Sequence, residues 1–423
     1  MSGDTSKRSA FAVVTILFFA WGFITSLLDP LVAAVKGIFT LSNFEAQASA
    51  FAFFFAYFVV SIPAAMLISR IKAVPSILLA LGMMALACLI MLGAANVASY
   101  PLVLAGLFIL AAGITILQVA ANPLAAALGP PESSHFRLTL SQTFNSVGTF
   151  VGPWLGASLF LQGVEVKDGA TLSDAVRQTA LAGIDRAYFW ICGLILLLLL
   201  FFWLRRQLVS AAAPAPSGSK GFGTILREVN QSPWAWLGAG AIFLYVGAEV
   251  AIGTQMAFLL NSDSVWGISL QDAGKTVAYY WGGAMVGRAV GSVLLARFPA
   301  ARLLAIFTLI AAAMCGYVAA VGGVNAGYAA LAIGLFNSIM FPVIFTLTLE
   351  RSTASEEAVS GLLCTGIVGG AILPLIVGKA SDMMGSYALS FVIPGLCYLA
   401  LTLFAMRAAK TAPIRQTSAS SAH

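Results

Sequence analysis

The stretch AYFWICGLILLLLLFFWL at residues 187–204 decides the class of fold. Arg186 precedes it, and Arg205 and Arg206 follow it. A helix that crosses the hydrocarbon core of a bilayer needs about 20 mostly apolar residues, and this run has that length between charged ends. The stretch therefore predicts a membrane-spanning helix.

The composition of the whole chain agrees with this prediction. Of its 423 residues, 60% are hydrophobic and 9% are charged, and the mean hydropathy is +0.95. A soluble domain carries about 25% charged residues. The surface of this chain must therefore face lipid, and its 40 glycines suit close helix packing in a membrane.

Apolar runs recur along the chain and predict an all-α polytopic membrane protein with twelve transmembrane helices. The predicted spans are 11–37, 46–70, 74–95, 100–128, 138–163, 186–206, 233–260, 270–297, 301–322, 326–350, 356–380 and 385–408. They form two six-helix bundles, 11–206 and 233–408. The segments outside the bundles are an N-terminal tail (1–10), a linker (207–232) and a C-terminal tail (409–423).

The linker and a pair of matching motifs divide the chain into two halves. Residues 211–220 read AAAPAPSGSK, a composition that disfavours helix and core. Asn122-Pro123 ends one apolar run and Pro153 follows; Phe341-Pro342 and Pro374 repeat that pattern in the second half. The repeat predicts pseudo-symmetric halves in the major facilitator arrangement, with a site between them near the midplane. A coincidence of common glycines and prolines is the alternative.

The basic residues predict the orientation of the chain. If the N-terminus is cytoplasmic, 15 of the 22 lysines and arginines fall on the cytoplasmic side and six on the other, with Arg288 inside a span. The positive-inside rule then places both termini in the cytoplasm. The first apolar run is too long for a signal peptide.

Few residues could serve metal or enzyme chemistry. The five cysteines lie in apolar runs without a CxxC pair, and His135 falls in a predicted loop. No phosphate-binding loop or G-x-S-x-G motif occurs. We therefore expect neither an enzyme nor a metal site, no organic cofactor and no nucleic-acid partner, with the proton as the only coupling ion.

Three ionisable residues lie well inside predicted spans: Asp29, Glu249 and Arg288. Such groups are costly in a membrane and usually functional. Asp29 precedes Pro30, which disfavours helical geometry and suits a proton-coupling carboxylate; a boundary residue that caps a turn is the alternative. Glu249 could bind sugar hydroxyls, act as a second proton site or form a structural ion pair with Arg288. Arg288 needs a buried partner, either fixed or exchanged between transport states.

Amides form a second group of candidates, because one amide offers both a donor and an acceptor to neighbouring sugar hydroxyls. Interhelical hydrogen bonds are the alternative role. Trp281, Trp21 and Phe144 could stack on a sugar ring, with packing or an interfacial anchor as the alternative role. The candidate amides are Gln118, Asn122, Gln142, Asn145 and Asn337.

Several motifs give the chain a close resemblance to the fucose/glucose-galactose proton-symporter family of the major facilitator superfamily. They cover nearly the whole chain and run in the order of that family. The motifs are FFAWGFITSLLDPL, GITILQVAANP, LGPPESSHFRLTLSQTFNSVGTFVGP, YVGAEVAIG, YYWGGAMVGRAVGS and FPVIFTLTL.

The resemblance implies hexose uptake coupled to protons by alternating access, with Asp29 as the proton carrier. Gln118 stands where fucose permeases are acidic, and Glu249 stands where they look neutral. Both departures favour the glucose/galactose branch, which includes carriers that resemble N-acetylglucosamine permeases. The sequence SRIKAV after the second span departs from the common G-x-x-x-D-R pattern, so no gating role is inferred there.

The sequence thus predicts a proton-coupled hexose symporter of a bacterial inner membrane that functions as a monomer in lipid. N-acetylglucosamine or fucose symport, passive sugar uniport and drug:proton antiport on the same fold are the alternatives. A membrane enzyme acting on lipid-linked sugars would need a catalytic cluster on a long polar loop, and the two longest predicted loops lack one.

Overall fold

The computed structural model describes residues 2–27, 31, 35, 39, 43–160, 174–214 and 218–414, and the described residues contain helices and no strands. Twelve long helices follow one another along these described residues. They are α1 (Ser2–Ser26), α2 (Asn43–Ile71), α3 (Ala73–Asn96), α4 (Tyr100–Ala127), α5 (Ser134–Phe160), α6 (Asp174–Ala212), α7 (Pro233–Asn261), α8 (Leu270–Leu295), α9 (Ala300–Val321), α10 (Gly323–Asn337 and Met340–Arg351), α11 (Glu356–Thr365 and Gly369–Met384) and α12 (Tyr387–Ser390 and Val392–Lys410).

The apolar character of these helices confirms the predicted membrane fold. Within the described ranges, ten are long and apolar enough to cross a bilayer. The other two, α5 and α8, have 27 and 26 residues and are less apolar. They carry polar side chains that point into the protein, among them Gln142, Asn145 and Arg288. Part of the polarity that weakens their hydropathy therefore belongs to the buried interior, while Asp272 and Lys275 at the start of α8 are exposed.

The packing pattern repeats between the two halves. In the first half α1 packs on α5, α2 on α4, and α3 on α4 and α6. In the second half α7 packs on α11, α8 on α10, and α9 on α10 and α12. The halves meet through α5 against α8 and α2 against α11. Adding six to each helix number converts one set of contacts into the other, as the sequence repeat predicts.

Several helix ends differ from those predicted. The predicted polar tail 1–10 is helical from Ser2, and α6 extends from Asp174 to Ala212 instead of 186–206. A helix can continue past the bilayer because water satisfies its outer polar side chains. The predicted linker 207–232 contains a short helix, Phe222–Asn230. Ile225 and Val229, four residues apart, bury one face of it.

Two prolines release backbone carbonyls inside the bundle. Proline lacks an N–H, so the carbonyl four residues earlier loses its helical partner. Pro123 releases the Val119 oxygen, which accepts a hydrogen bond from the Ser360 hydroxyl of α11 at 2.8 Å. Pro342 releases the Ser338 oxygen, at the break in α10 that the prediction of one span over 326–350 missed. The matching prolines of the repeat thus free acceptors for neighbouring helices.

The short helix Phe222–Asn230, here called the linker helix, ties the two halves together at one end of the bundle, the linker end. The Glu228 carboxylate accepts hydrogen bonds from the Ser355 amide (3.2 Å) and hydroxyl (2.6 Å) at the start of α11, and it pairs with Lys220. The Lys220 amide donates to the Ser69 hydroxyl of α2 at 3.2 Å. Burial alone would raise the pKa of Glu228, but the bonds from Lys220 and Ser355 outweigh it and lower that pKa.

Glu228→Gln is expected to lower the stability of the folded protein by about 1 kcal/mol at neutral pH, because a neutral amide loses the ion pair with Lys220. The folded-state pKa of Glu228 is depressed. Its contribution is therefore present above the unfolded value of about 4.3 and is lost as the pH falls through the folded value. Thermal unfolding in detergent should show the difference at pH 7 and its disappearance in acid. The exposed Glu132, changed to Gln, is the control.

Candidate functional site

Glu249 of α7 and Arg288 of α8 form a buried ion pair in the middle of the bundle. Their side chains are 8% and 9% exposed, and Arg288 Nη2 lies 3.5 Å from Glu249 Oε1. Glu249 is the seventeenth residue of α7, which places it about 24 Å along that helix. A charge at this depth is expensive unless it is paired and hydrogen-bonded, so the two residues stabilise each other.

Arg288 contacts both halves of the protein. Its Nε donates to the Ser338 carbonyl at 2.9 Å, the oxygen that Pro342 releases from the α10 ladder. Its Nη1 donates at 2.6 Å to the hydroxyl of Ser146, on α5 of the first half. Nη2 points to Glu249. A planar guanidinium can serve three directions at once, and one of them crosses the interface.

Tyrosines surround Glu249. The Tyr280 hydroxyl donates to the Glu249 carbonyl at 3.0 Å and accepts from the Asn337 amide at 2.6 Å. The Tyr245 hydroxyl, one helical turn before Glu249, accepts from Arg288 at 3.5 Å. Since each tyrosine is fully buried, these bonds satisfy hydroxyls that water cannot reach. α7, α8 and α10 are thereby joined in one polar network.

The amides of the first half find different partners. Gln142 Nε2 donates to Asn122 Oδ1 at 3.4 Å, which joins α5 to α4. Gln118, on the same face of α4, instead donates to the Tyr57 hydroxyl of α2 at 2.8 Å. Asn145 Nδ2 donates to the Phe18 carbonyl of α1 at 3.1 Å. Asn145 could therefore contact a sugar through its Oδ1 or through the second N–H of Nδ2.

Three buried side-chain amide atoms have no hydrogen-bond partner among the described residues: Asn122 Nδ2, Gln255 Oε1 and Asn337 Oδ1. Of these, Asn122 Nδ2 in the first half and Asn337 Oδ1 in the second belong to fully buried side chains. An unsatisfied buried polar group costs about 1–3 kcal/mol, so such atoms call for a ligand or water. One is a donor and the other an acceptor, the two functions that a sugar hydroxyl complements.

The remaining predicted residues lie in different settings. Trp281 is half-buried and packs edge-on against Tyr280, with ring centroids 5.1 Å apart, so it borders the network. Trp21 is buried against Phe18 in α1. Phe144 is 46% exposed, and its stacking on a sugar stays a prediction. Asp29 lies outside the described residues.

Sequence reasoning missed Tyr57, Tyr245, Tyr280 and Ser146. A tyrosine in the middle of an apolar helix needs a partner for its hydroxyl, and this signal was available in the sequence. Ser146 gave no such signal, because serine is common in membrane helices and usually bonds its own backbone. In the described part of the chain, no cluster of three or more His, Cys, Asp or Glu side chains could hold a metal ion.

Comparison with known proteins identifies the family. Residues 11–374 match the model of the Major Facilitator Superfamily. The chain belongs to this superfamily. A glucose/galactose transporter of Brucella abortus is 40% identical over 414 residues, 96% of each chain. The L-fucose-proton symporter of Escherichia coli is 32% identical over 95% of this chain and 93% of its own. Within the superfamily, the chain therefore belongs to the fucose/glucose-galactose symporter family.

Solved structures agree with this assignment. The crystal structure of the superfamily transporter FucP in the outward conformation matches with a TM-score of 0.86 at 30% identity, over 96% of this chain and all of that one. A proton:xylose symporter, XylE, matches with a TM-score of 0.69 at 14% identity, which shows the shared fold alone. The predicted twelve-helix major facilitator fold is confirmed.

Proposed function

We propose that this protein is a proton-coupled hexose symporter of the glucose/galactose type that works by alternating access. The observation that carries the proposal is the position of Arg288, which pairs with Glu249 in its own half and bonds Ser146 in the other. A residue with one bond across the interface changes partners when the halves rock. The names of the relatives supply the class of solute.

The sugar binds between the halves, beside the ion pair. Asn122 Nδ2 donates to one hydroxyl and Asn337 Oδ1 accepts from another, since both atoms are buried and unpartnered. We expect Gln118, Gln142 and Asn145 to contact the sugar from the first half and Trp281 to contact it from the second. A sugar hydroxyl that competes for Ser146 would loosen the Arg288 bridge and couple binding to rocking.

Asp29 carries the coupling proton. The protonated acid favours outward sugar binding, and inward release follows deprotonation. Glu249 is the second protonatable carboxylate, and its proximity to Arg288 lets a proton on Glu249 weaken the ion pair. The linker end is the cytoplasmic end by the positive-inside rule, with both termini on that side of a bacterial inner membrane. The protein acts as a monomer in lipid and needs no organic cofactor.

Counterflow in proteoliposomes tests this proposal. Vesicles preloaded with glucose, galactose, fucose, mannose or N-acetylglucosamine would be offered the same radiolabelled sugar. Saturable uptake of glucose or galactose supports the proposal, and uptake of fucose or N-acetylglucosamine moves the substrate within the family. If folded protein exchanges none of these sugars, the sugar proposal is wrong, and an efflux assay with drugs tests the antiporter alternative.

Asp29→Asn is expected to abolish sugar accumulation driven by a pH gradient while counterflow continues. The amide imitates the protonated acid, so binding and rocking persist, but no proton can be released. We expect the accumulation ratio to fall to about one, the passive limit, when both assays are run on the same vesicles. Accumulation retained by Asp29→Asn would remove the coupling role, and a parent protein that never accumulates sugar would be a uniporter.

Asn122→Leu is expected to raise the half-saturating sugar concentration in counterflow by about tenfold, the effect of one lost hydrogen bond worth about 1.4 kcal/mol. Leucine has the same branched heavy-atom skeleton as asparagine but leaves the sugar hydroxyl without a donor. Asn96→Ala is the control, because that amide bonds Asp185 and the Leu92 carbonyl at the end of α3, outside the site. An unchanged half-saturating concentration would remove Asn122 from the site.

A further inference from the structure

His135 lies at the interface between the halves, at the linker end. The sequence placed it in a loop, but it is the second residue of α5. Its Nε2 lies 3.1 Å from Glu350 Oε1 on α10, and its Nδ1 contacts the Thr346 hydroxyl one turn earlier. Ser134 also donates to Glu350 Oε1 at 3.1 Å. All three bonds join the first half to the second.

The hydrogen-bond partners determine how many protons the imidazole carries. The Thr346 hydroxyl lies 2.8 Å from the carbonyl of Pro342, and when it donates there its oxygen can accept from His135 Nδ1. The Glu350 carboxylate can only accept, so His135 Nε2 donates to it. A neutral imidazole has one N–H, whereas this arrangement uses two. Both bonds can therefore be donated together only when the ring carries two protons.

The surrounding charges leave Glu350 as the partner of His135. Arg351 binds the other oxygen of Glu350 at 3.1 Å. Arg137 is directed elsewhere, to the carbonyls of Ala126 and Pro130 at the end of α4. Two cavities of about 240 and 310 Å³ adjoin the pair. The other charged groups around it are Glu132 beside α5, Arg302 of α9 and Glu356 of α11.

We propose that His135 is a further proton-binding site of the transport cycle, which holds a proton when the halves are closed at the linker end and releases it when they separate. Separation removes Glu350 and Thr346 together, because both belong to the other half. By linkage, acid on the linker side then favours the closed state. The inference rests on the proposed function in one respect: it takes the separation of the halves at the linker end to be the step that releases sugar.

Nitrogen NMR of the imidazole tests the charge directly. The chain has two histidines, at 135 and 423, so His423→Ala leaves one ring to observe. In nanodiscs at about pH 7.5, where an ordinary histidine is mostly neutral, we expect both ring nitrogens of His135 to be protonated. Thr346→Val removes one acceptor and should leave a neutral ring. Thr348→Val, whose hydroxyl bonds the Ile344 carbonyl instead, is the matched control. A neutral ring in the parent would overturn the proposal.

Alkylation of a cysteine in the smaller cavity tests the link to opening. Ala127 lines that cavity, and the five native cysteines are buried. We expect maleimide to label Ala127→Cys about fivefold faster at about pH 8 than at about pH 6, at the lower end of usual coupling between two sites. Rates are divided by those of the exposed Ser219→Cys, which corrects for thiol ionisation.

His135→Gln should remove this pH dependence. If the normalised rate depends on pH equally with and without His135, the proposal fails. Neither the NMR nor the labelling experiment uses a sugar. Failure of this proposal is therefore distinguishable from failure of sugar transport, which counterflow measures separately.

Discussion

Arg288→Leu is expected to reduce sugar counterflow by at least about 100-fold and to destabilise the protein by about 3–5 kcal/mol. The substitution leaves the Glu249 carboxylate buried without its cation. It also removes the donors to the Ser338 carbonyl and to Ser146. Two results are therefore predicted from one change, a loss of stability within one half and a loss of the bond between halves.

A double variant separates these two results. Replacing both members of a buried ion pair by apolar residues is often neutral for stability, because no unpaired charge remains. Arg288→Leu with Glu249→Leu should therefore recover most of the thermal stability that Arg288→Leu loses. Counterflow should stay absent, since the contact with Ser146 is not restored. Recovery of both properties would mean that the pair is only structural.

Arg297→Leu is the matched control for this experiment. Arg297 lies just beyond the end of α8 and is exposed. The same change of side chain there should leave counterflow within about twofold of the parent, because surface substitutions usually change stability by less than about 0.5 kcal/mol. Size-exclusion profiles and melting curves of all three variants, measured in the same detergent, establish which of them are folded before transport is assayed.

The fold was predictable from the sequence because its strongest signal is local. A spanning helix is encoded in one apolar run, and the paired Pro123 and Pro342 motifs identified the repeat without knowledge of any contact. Helix ends were less predictable, as α6 shows: the bilayer limits the apolar run of a helix but not its full length. The helix at residues 222–230 was missed for a related reason. It is so short that its apolar residues give only a weak helical signal, and a Pro/Ser-rich segment precedes it.

The site was only partly predictable, because a contact needs two helix faces. Gln118 and Asn122 share a face of α4, as their spacing predicts, yet they bond Tyr57 of α2 and Gln142 of α5. One face of a helix borders two neighbours, and sequence spacing cannot choose between them. The pairing of Glu249 with Arg288 could be predicted from the free-energy cost of an unpaired charge inside a membrane, since two opposite charges in apolar helices need partners. The hydrogen bond from Arg288 to Ser146 could be found only from the packed structure.

Close packing between α1 and α5 leads to the second large effect. At Gly148 an added Cβ would contact the Phe19 carbonyl oxygen and lie 2.6 Å from the Phe23 nitrogen. Both atoms belong to the backbone of α1, so they can move only if the helix moves. Glycine at this position lets the two helices approach to backbone contact. The same helix contains Phe18, whose carbonyl binds Asn145, so the contact also positions a candidate site residue.

Gly148→Leu is expected to destabilise the protein by more than about 3 kcal/mol, beyond the usual cost of overpacking, because rigid backbone opposes the new side chain. We expect most of the expressed protein to aggregate, as measured by the monodisperse fraction in size-exclusion chromatography. Gly193→Leu is the matched control. It makes the same change within α6, where an added Cβ meets no atom within 4 Å, and the monodisperse fraction should not fall.

The repeat extends this prediction to the second half. Gly369 of α11 approaches the Phe243 backbone of α7, where an added Cβ would contact the carbonyl oxygen. The pair α7 and α11 corresponds to α1 and α5 in the packing pattern. Gly369→Leu should therefore aggregate as Gly148→Leu does. If Gly148→Leu stays monodisperse, α1 can shift away from α5, and the position of Asn145 would then not depend on that contact.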